Sequence, residues 1–255
     1  MGSQKRSENT YQKINTIFQR DTRGVIMPDR FSEQDFEYLR GLKWYAEEKI
    51  DGTNMRIEVK AEKWLNENGI TFSVRFAGKT DNAEIPKELK EYMEAHYPED
   101  VVLAALGLKS FIPRNEFDAH GWNDIDDVPD MYTIYGEGYG RKIQKVGAQY
   151  IADGVGFIIF DVKVNNLYLK VDARNEIAAK MATPVAPNMG YFTLDEAIDF
   201  VRKGFKSNIA EDKNMIAEGL VLRTDTGLLN RMGKRLIVKV KHQDFVKYRS
   251  VQHLS

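Results

Sequence analysis

Stretches with the two-residue alternation or short apolar run of a β-strand recur along this chain at uneven intervals. They constrain its fold more than any other feature. Trp44–Glu47, Met55–Val59, Phe72–Phe76, Tyr132–Tyr135, Phe157–Val162, Leu167–Val171, Leu220–Arg223 and Leu236–Lys241 all read as strands. Helical signals of irregular length fall between them. One covers residues 32–42, one opens at Pro86 and runs to Tyr97, a weaker one covers 99–108, and one covers Asp172–Met181. The capping box Thr193-Leu194-Asp195-Glu196 opens another to about Lys203. Gly78–Asn82 and the acidic Asp118–Asp130 read as exposed loops. This interleaving predicts an α+β fold with largely antiparallel sheets flanked by helices, not a regular βαβ winding.

Bulk properties exclude several classes. The 37 Lys and Arg residues nearly cancel the 38 Asp and Glu, leaving a net charge of -1. A polyanion site must therefore come from local clustering. There is no cysteine, which removes disulfide scaffolds and thiolate metal sites, and the four histidines (His96, His120, His242, His253) lack ligand spacing. No apolar run approaches the ~18 residues a membrane span needs. Met1–Arg6 has no apolar signal core, and Met-Gly-Ser there also fits a cloning remnant, so an intracellular location is expected.

The most informative segment chemically is Glu48-Lys49-Ile50-Asp51-Gly52-Thr53-Asn54. It places a lysine between an extended run and a sharp Asp-Gly turn, at the mouth of a pocket between strands. A lysine amine attacks only when neutral, and neighbouring positive charge or burial favours that form. The plainer reading is a surface lysine before a hairpin. Further along, Glu137 lies between glycines that would let a ligand approach its carboxylate, and Phe160-Asp161 ends an apolar strand. Glu218 precedes Gly219 at a strand start, and Lys239 and Lys241 share one strand face. Singly, these read as an incidental acid, a core aromatic and an edge strand guarded by lysines.

In this order, however, Lys49–Asn54, Tyr135–Gly138, Phe157–Val162, Glu218–Arg223 and Val238–Lys241 resemble the covalent nucleotidyltransferase superfamily, most closely the RNA ligase 2-like family. Ile143-Gln144-Lys145 and Lys13-Ile14 add to the likeness, which runs from about Tyr11 to Phe245. The resemblance implies a nucleotidyltransferase (ATP-grasp-like) domain, with the nucleotide pocket between its sheets. Lys49 would attack the α-phosphorus of ATP with Mg²⁺ or Mn²⁺, and AMP would pass to an RNA 5′-phosphate that a 3′-hydroxyl then joins. The resemblance also places Glu48 and Ile50 in the nucleotide site. It gives Glu137 the ribose hydroxyls, Phe160 the adenine face, Glu218 and Asn54 the metal, and Lys239 and Lys241 the α-phosphate. The family's downstream basic residue corresponds to Arg75 or to Lys79. Asn54, where DNA ligases of this kind usually carry Arg, points to RNA. Arg223 stands where the family often has Lys.

The expectation is thus one nucleotidyltransferase domain over residues 1–255, acting as a monomer on RNA ends without a membrane. Only 14 residues follow Lys241 in the sequence (255 less 241), leaving no room for an OB-type or helical C-terminal domain. The competing readings are a DNA ligase, a capping-type guanylyltransferase, a ligase domain competent mainly for adenylylation, and a non-catalytic nucleotide-binding module. Arg20, Arg23 and Arg231–Arg235 are candidate RNA contacts.

Overall fold

The structure, a computed structural model, describes residues 9–63 and 68–252. The Met1–Arg6 stretch and His253 lie outside the described residues. The chain divides into two compact units, one made of Gly52–Val185 with the described residues up to Tyr11, the other of Gln12–Asp51 with the chain from Ala186 onward.

The first unit is built on a six-stranded antiparallel sheet. Its order is Leu167–Tyr168, Val155–Val164, Met131–Gly140, Thr53–Glu62, Gly69–Gly78 and Phe111–Pro113. Alternation along Thr53–Glu62 puts Met55, Ile57, Val59 and Ala61 on one face. They pack there with Ile134, Phe157 and Ile159 against Leu89, Met93, Val102 and Ala178 of three helices, Lys87–His96, Glu99–Ala105 and Val171–Lys180. The other face carries Asn54, Arg56 and Glu58, which lie opposite Glu137, Tyr135 and Thr133 of the neighbouring strand.

The second unit holds a five-stranded sheet in the order Asn15–Thr16, Ile237–Lys241, Gly219–Thr224, Trp44–Lys49 and Asn188–Phe192. Only the Asn15–Thr16 pairing is parallel. Trp44, Ala46, Leu220, Leu222, Val238 and Val240 form its buried face against Leu194, Ala197 and Val201 of helix Leu194–Lys203 and Phe245 of helix His242–Gln252. A hairpin, Phe18–Arg20 with Ile26–Phe31, lies alongside in the same unit. Among the described residues no helix is long and apolar enough to cross a membrane.

The α+β class, the antiparallel pairing and the strand positions agree with the sequence reading. The predicted capping box forms: Thr193 Oγ1 accepts from Glu196 N at 3.2 Å, and Glu196 Oε2 accepts from Thr193 N at 2.7 Å. Several boundaries differ: the helix expected over 32–42 is Gln34–Tyr38, and the one over 99–108 ends at Ala105. The strand expected over Leu167–Val171 stops at Tyr168, because Val171 begins the helix that runs to Lys180. The acidic Asp118–Asp130 segment is not uniformly loop: one 3₁₀ turn, Arg114–His120, runs into its start, and another, Ile125–Asp127, lies within it.

The glycines beside Glu137 serve the core, contrary to the reading that they open its carboxylate to a ligand. A Cβ on Gly136 would overlap the Phe157 ring and the Ile158 carbonyl, and one on Gly138 would overlap Leu89. Both point away from the face that carries Glu137. Gly136→Ala should therefore lower stability by roughly 1–3 kcal/mol through overpacking. Gly41→Ala, where a Cβ meets nothing within 4 Å, should stay within about 0.5 kcal/mol. Urea denaturation of the two variants checks this, and equal losses would refute the packing role of Gly136.

Candidate active site

In the second unit, strand register builds a charged row. Lys49 pairs with Gly219, and Gly219 pairs with Lys241 on its far side. Gly219 has φ +150° and leaves a side-chain gap in the middle of the row; a Cβ there would overlap the Val240 carbonyl. Glu218 fills the gap. Its Oε2 accepts from Lys49 Nζ at 2.7 Å, and its Oε1 pairs with Lys241 Nζ at 2.7 Å. Lys49 Nζ also donates to the Ile50 carbonyl at 3.3 Å. The Lys49, Glu218 and Lys241 side chains are 21%, 11% and 31% exposed, sheltered yet reachable by a ligand.

The next row holds Glu47, Val221, Lys239 and, across the parallel pairing, Thr16. Lys239 and Lys241 share a face as their spacing predicts, while Val238 and Val240 are buried behind them. The strand is not an edge, since it pairs on both sides. The lysines therefore guard no open edge. Arg223 forms an ion pair with Glu47, and both side chains are largely buried.

Asp51, read from sequence only as a turn former, belongs to this charge cluster. Burial raises its carboxyl above the ordinary carboxylate value, and Glu218 adds to the rise, while Lys49 and Lys241 oppose it. Glu48 points to the opposite face from Lys49 and is 2% exposed. It accepts from Ser207 Oγ at 2.5 Å and from Asn208 N at 2.8 Å. Burial raises its carboxyl too, with those hydrogen bonds opposing. Its carboxylate therefore fastens the Ser207–Asn208 segment. Ile50 is buried at 5% exposure.

The first unit carries the remaining expected site residues on the polar face of its sheet. Asn54 pairs with Glu137 in register. Asn54 Oδ1 is a buried acceptor without a hydrogen-bond donor among the described residues. Phe160 is the extra residue of a β-bulge: Tyr135 pairs with Asp161 and Gly136 with Ile159. Bulges re-aim a side chain, and here Phe160 is half-buried against the Tyr11 ring, at 5.0 Å between centroids. Its carbonyl accepts from Nη1 of the buried Arg174 at 2.9 Å. Tyr11 in turn donates to Asp161 Oδ2 at 2.7 Å.

Arg75 and Lys79 behave differently. Arg75 Nε donates to Glu58 Oε2 at 3.0 Å, and Nη2 reaches Asp81 Oδ1 at 3.3 Å. Glu58 and Asp81 also hold the fully buried Arg56, a network that the sequence reading missed. The Lys79 side chain is exposed and makes no ion pair or hydrogen bond among the described residues. Of the candidate RNA contacts, Arg20 is bound to Asp244 and Arg23 to Asp21. Arg231–Lys234 forms an exposed turn closed by Asn230 N to Lys234 O at 2.8 Å.

No group of three or more His, Cys, Asp or Glu side chains gathers for a metal among the described residues. Glu218 with nearby Asp51 nevertheless suits a hydrated hard cation, since Mg²⁺ commonly keeps several waters and takes one or two carboxylates.

The antiparallel α+β architecture is a nucleotidyltransferase fold, and one face of its second sheet carries a sheltered lysine, a bridging glutamate and two further lysines. A family model described as RNA ligase matches residues 42–241. The chain belongs to the RNA ligase family. Similar solved structures include three mutants of Naegleria gruberi RNA ligase, each 15% identical. The apo form has a TM-score of 0.51 and covers 94% of this chain and 58% of that one. The form with ATP and Mn has a TM-score of 0.52 with the same coverage, 94% and 58%. The form with AMP and Mn has a TM-score of 0.51 and covers 95% and 62%. At that identity the likeness shows the fold, and the chain spans 58–62% of the length of those proteins. No curated protein sequence matches the chain.

Glu48 supplies a pH test. Its folded-state value lies above the ordinary 4.5, so the folded chain holds the proton more tightly than the unfolded one. That contribution is fully present below the ordinary value and is lost as pH rises through the folded value. The stability difference between wild type and Glu48→Gln should therefore shrink in favour of the variant as pH rises above about 4.5. Denaturant titrations at stepped pH measure it, and a difference growing with pH would contradict the assignment.

Proposed function

We propose that the chain is an ATP-dependent RNA ligase whose nucleophile is Lys49. The single observation that carries this reading is the row Lys49–Gly219–Lys241 closed by Glu218, in a chain of the RNA ligase family. A reactive amine, a carboxylate and phosphate-binding cations meet there on one rigid sheet.

In the proposed first step Lys49 Nζ bonds to the α-phosphorus of ATP. The bond from that phosphorus to the bridging oxygen breaks, pyrophosphate leaves, and the amine gives up a proton. A lysyl-AMP remains. The amine is engaged with Glu218 as a cation at rest, so it gives up one proton to solvent and leaves that contact before it attacks, and the second proton departs as the phosphoramidate forms. A divalent ion such as Mg²⁺ or Mn²⁺, held by Glu218, would supply charge stabilisation to the phosphate oxygens. Lys239 and Lys241 neutralise the α-phosphate, because phosphoryl transfer calls mainly for positioning and charge compensation.

Glu137 takes the ribose hydroxyls, Phe160 stacks on adenine, and Asn54 accepts from a ligand or a metal-bound water. Glu48 and Ile50 act in the nucleotide site chiefly through the backbone around Lys49, since both side chains are buried. Lys79 is the preferred phosphate contact, because Arg75 is already committed to Glu58 and Asp81. AMP then passes to an RNA 5′-phosphate, and a 3′-hydroxyl displaces it to make the phosphodiester. The two units act as one nucleotidyltransferase domain, as a monomer.

With ATP labelled on the α-phosphate and a divalent metal, the wild type should form an acid-labile, hydroxylamine-sensitive adduct. GTP should not support it. Nicks carrying RNA at the 3′-hydroxyl side should be sealed in preference to all-DNA nicks. GTP-dependent labelling would favour a capping-type enzyme, and sealing indifferent to RNA would remove the RNA assignment.

A further inference from the structure

A cavity of about 490 Å³ opens in the second unit, beside the last strand. Its lining includes four basic side chains, Lys13, Arg20, Lys239 and Lys241, with the hydroxyls of Thr16 and Ser32 among them. In a chain of net charge -1, that concentration is local and marks an anion site. The walls are held rigid. Ser32 Oγ donates to the Thr16 carbonyl at 2.5 Å, and Ile17 N donates to the Lys239 carbonyl at 3.0 Å. Arg20 is fixed by two bonds to Asp244, at 2.7 and 2.8 Å, which offsets part of its charge. Lys241 also pairs with Glu218, so the cavity shares a wall with the row that carries Lys49. The Lys13 side chain is exposed and makes no ion pair or hydrogen bond among the described residues. Its ammonium is uncommitted.

Resting on the ligase reading, we propose that this cavity is a second phosphate subsite, with Lys13 its recruiting cation. It would take phosphate oxyanions beyond the one bonded to Lys49. Two phosphates of the reaction share that chemistry: the departing pyrophosphate and a backbone phosphate of the RNA strand. A space of about 490 Å³ accommodates either with its water, since one liquid water occupies ~30 Å³. The ammonium groups are donors from which phosphate oxygens accept readily, while the Ser32 and Thr16 hydroxyls are spent on the Thr16 and Phe18 carbonyls.

The test uses the full chain as wild type, Lys13→Glu, Lys13→Arg and Lys203→Glu. The last makes the same charge change on an exposed helix position outside the cavity lining. Calorimetric titration with pyrophosphate alone, without ATP or metal, forms one arm. Binding of a nicked RNA duplex across a salt series forms the other. Lys13→Glu should weaken one or both ligands by about tenfold, roughly the loss of one charge-assisted contact, whereas Lys13→Arg and Lys203→Glu should bind like wild type.

A loss confined to pyrophosphate assigns the subsite to the leaving group. A loss confined to RNA, with a salt slope shallower by roughly 0.7–0.9, assigns it to the strand backbone. Unchanged binding in both arms, or equal weakening by Lys203→Glu, overturns the proposal. If Lys13→Glu does not fold, Lys13→Gln decides by the same two readouts. Pyrophosphate binding needs no catalysis, so a chain that binds it through Lys13 yet never labels itself with ATP would sink the ligase reading alone.

Discussion

Glu218 holds two ammonium groups apart and together at once, and the chemistry of the second unit depends on that bridge. Neighbouring strands lie about 4.8 Å apart, so Lys49 and Lys241, with one strand between them, have backbones separated by roughly twice that. Their side chains converge only because Gly219 contributes none. Two like charges brought together on one sheet face would repel, and a carboxylate at 2.7 Å from each removes that cost. The same contact keeps the amine occupied as a cation. Whatever binds Glu218 or neutralises it therefore bears directly on the contacts of the Lys49 amine. Asp51, with its raised carboxyl, is tied to the same balance, because its charge interacts with all three groups.

Rigidity comes from the buried side of each sheet. In the second unit Trp44, Leu220 and Val240 anchor the three strands that present Lys49, Glu218 and Lys241. Glu48, adjacent to Lys49, turns inward and fastens Ser207 and Asn208. In the first unit the polar face is organised by charge pairing. The fully buried Arg56 is paired by Glu58 and Asp81, and Arg174 holds the Phe160 carbonyl at the bulge. Buried charges of this kind are costly unless fully paired, so each network fixes one arrangement of the sheet face.

Much of this was legible in the sequence because β-strands repeat every two residues. Val238 and Val240 against Lys239 and Lys241, or Met55 and Ile57 against Asn54 and Arg56, declare their faces without a structure. The Thr193 capping box did so for a helix. Elements that lack such a signal were missed. Asn15–Thr16 is a two-residue strand, too short for any period, and Asn188–Phe192 contains Gly190, with a register shift beside it. Val171 could extend a strand or open a helix, and packing decided for the helix. The bulge at Phe160 depends on which residues face each other across two strands, which local pattern does not encode. Long-range pairs posed the same difficulty. Nothing near Arg75 in the chain reveals that Glu58 and Asp81 occupy it, and nothing near Lys49 names Glu218 as its partner.

In the proposed reaction one particular lysine, set across Gly219 from Lys241 and bridged by Glu218, carries the transferred nucleotide. Peptide mapping by mass spectrometry after incubation with ATP and a divalent metal addresses it most directly. The expected result is a single AMP adduct on the peptide containing Lys49, with Lys239 and Lys241 unmodified. An AMP adduct on either of those lysines, or on another residue while Lys49 stays free, would contradict the account.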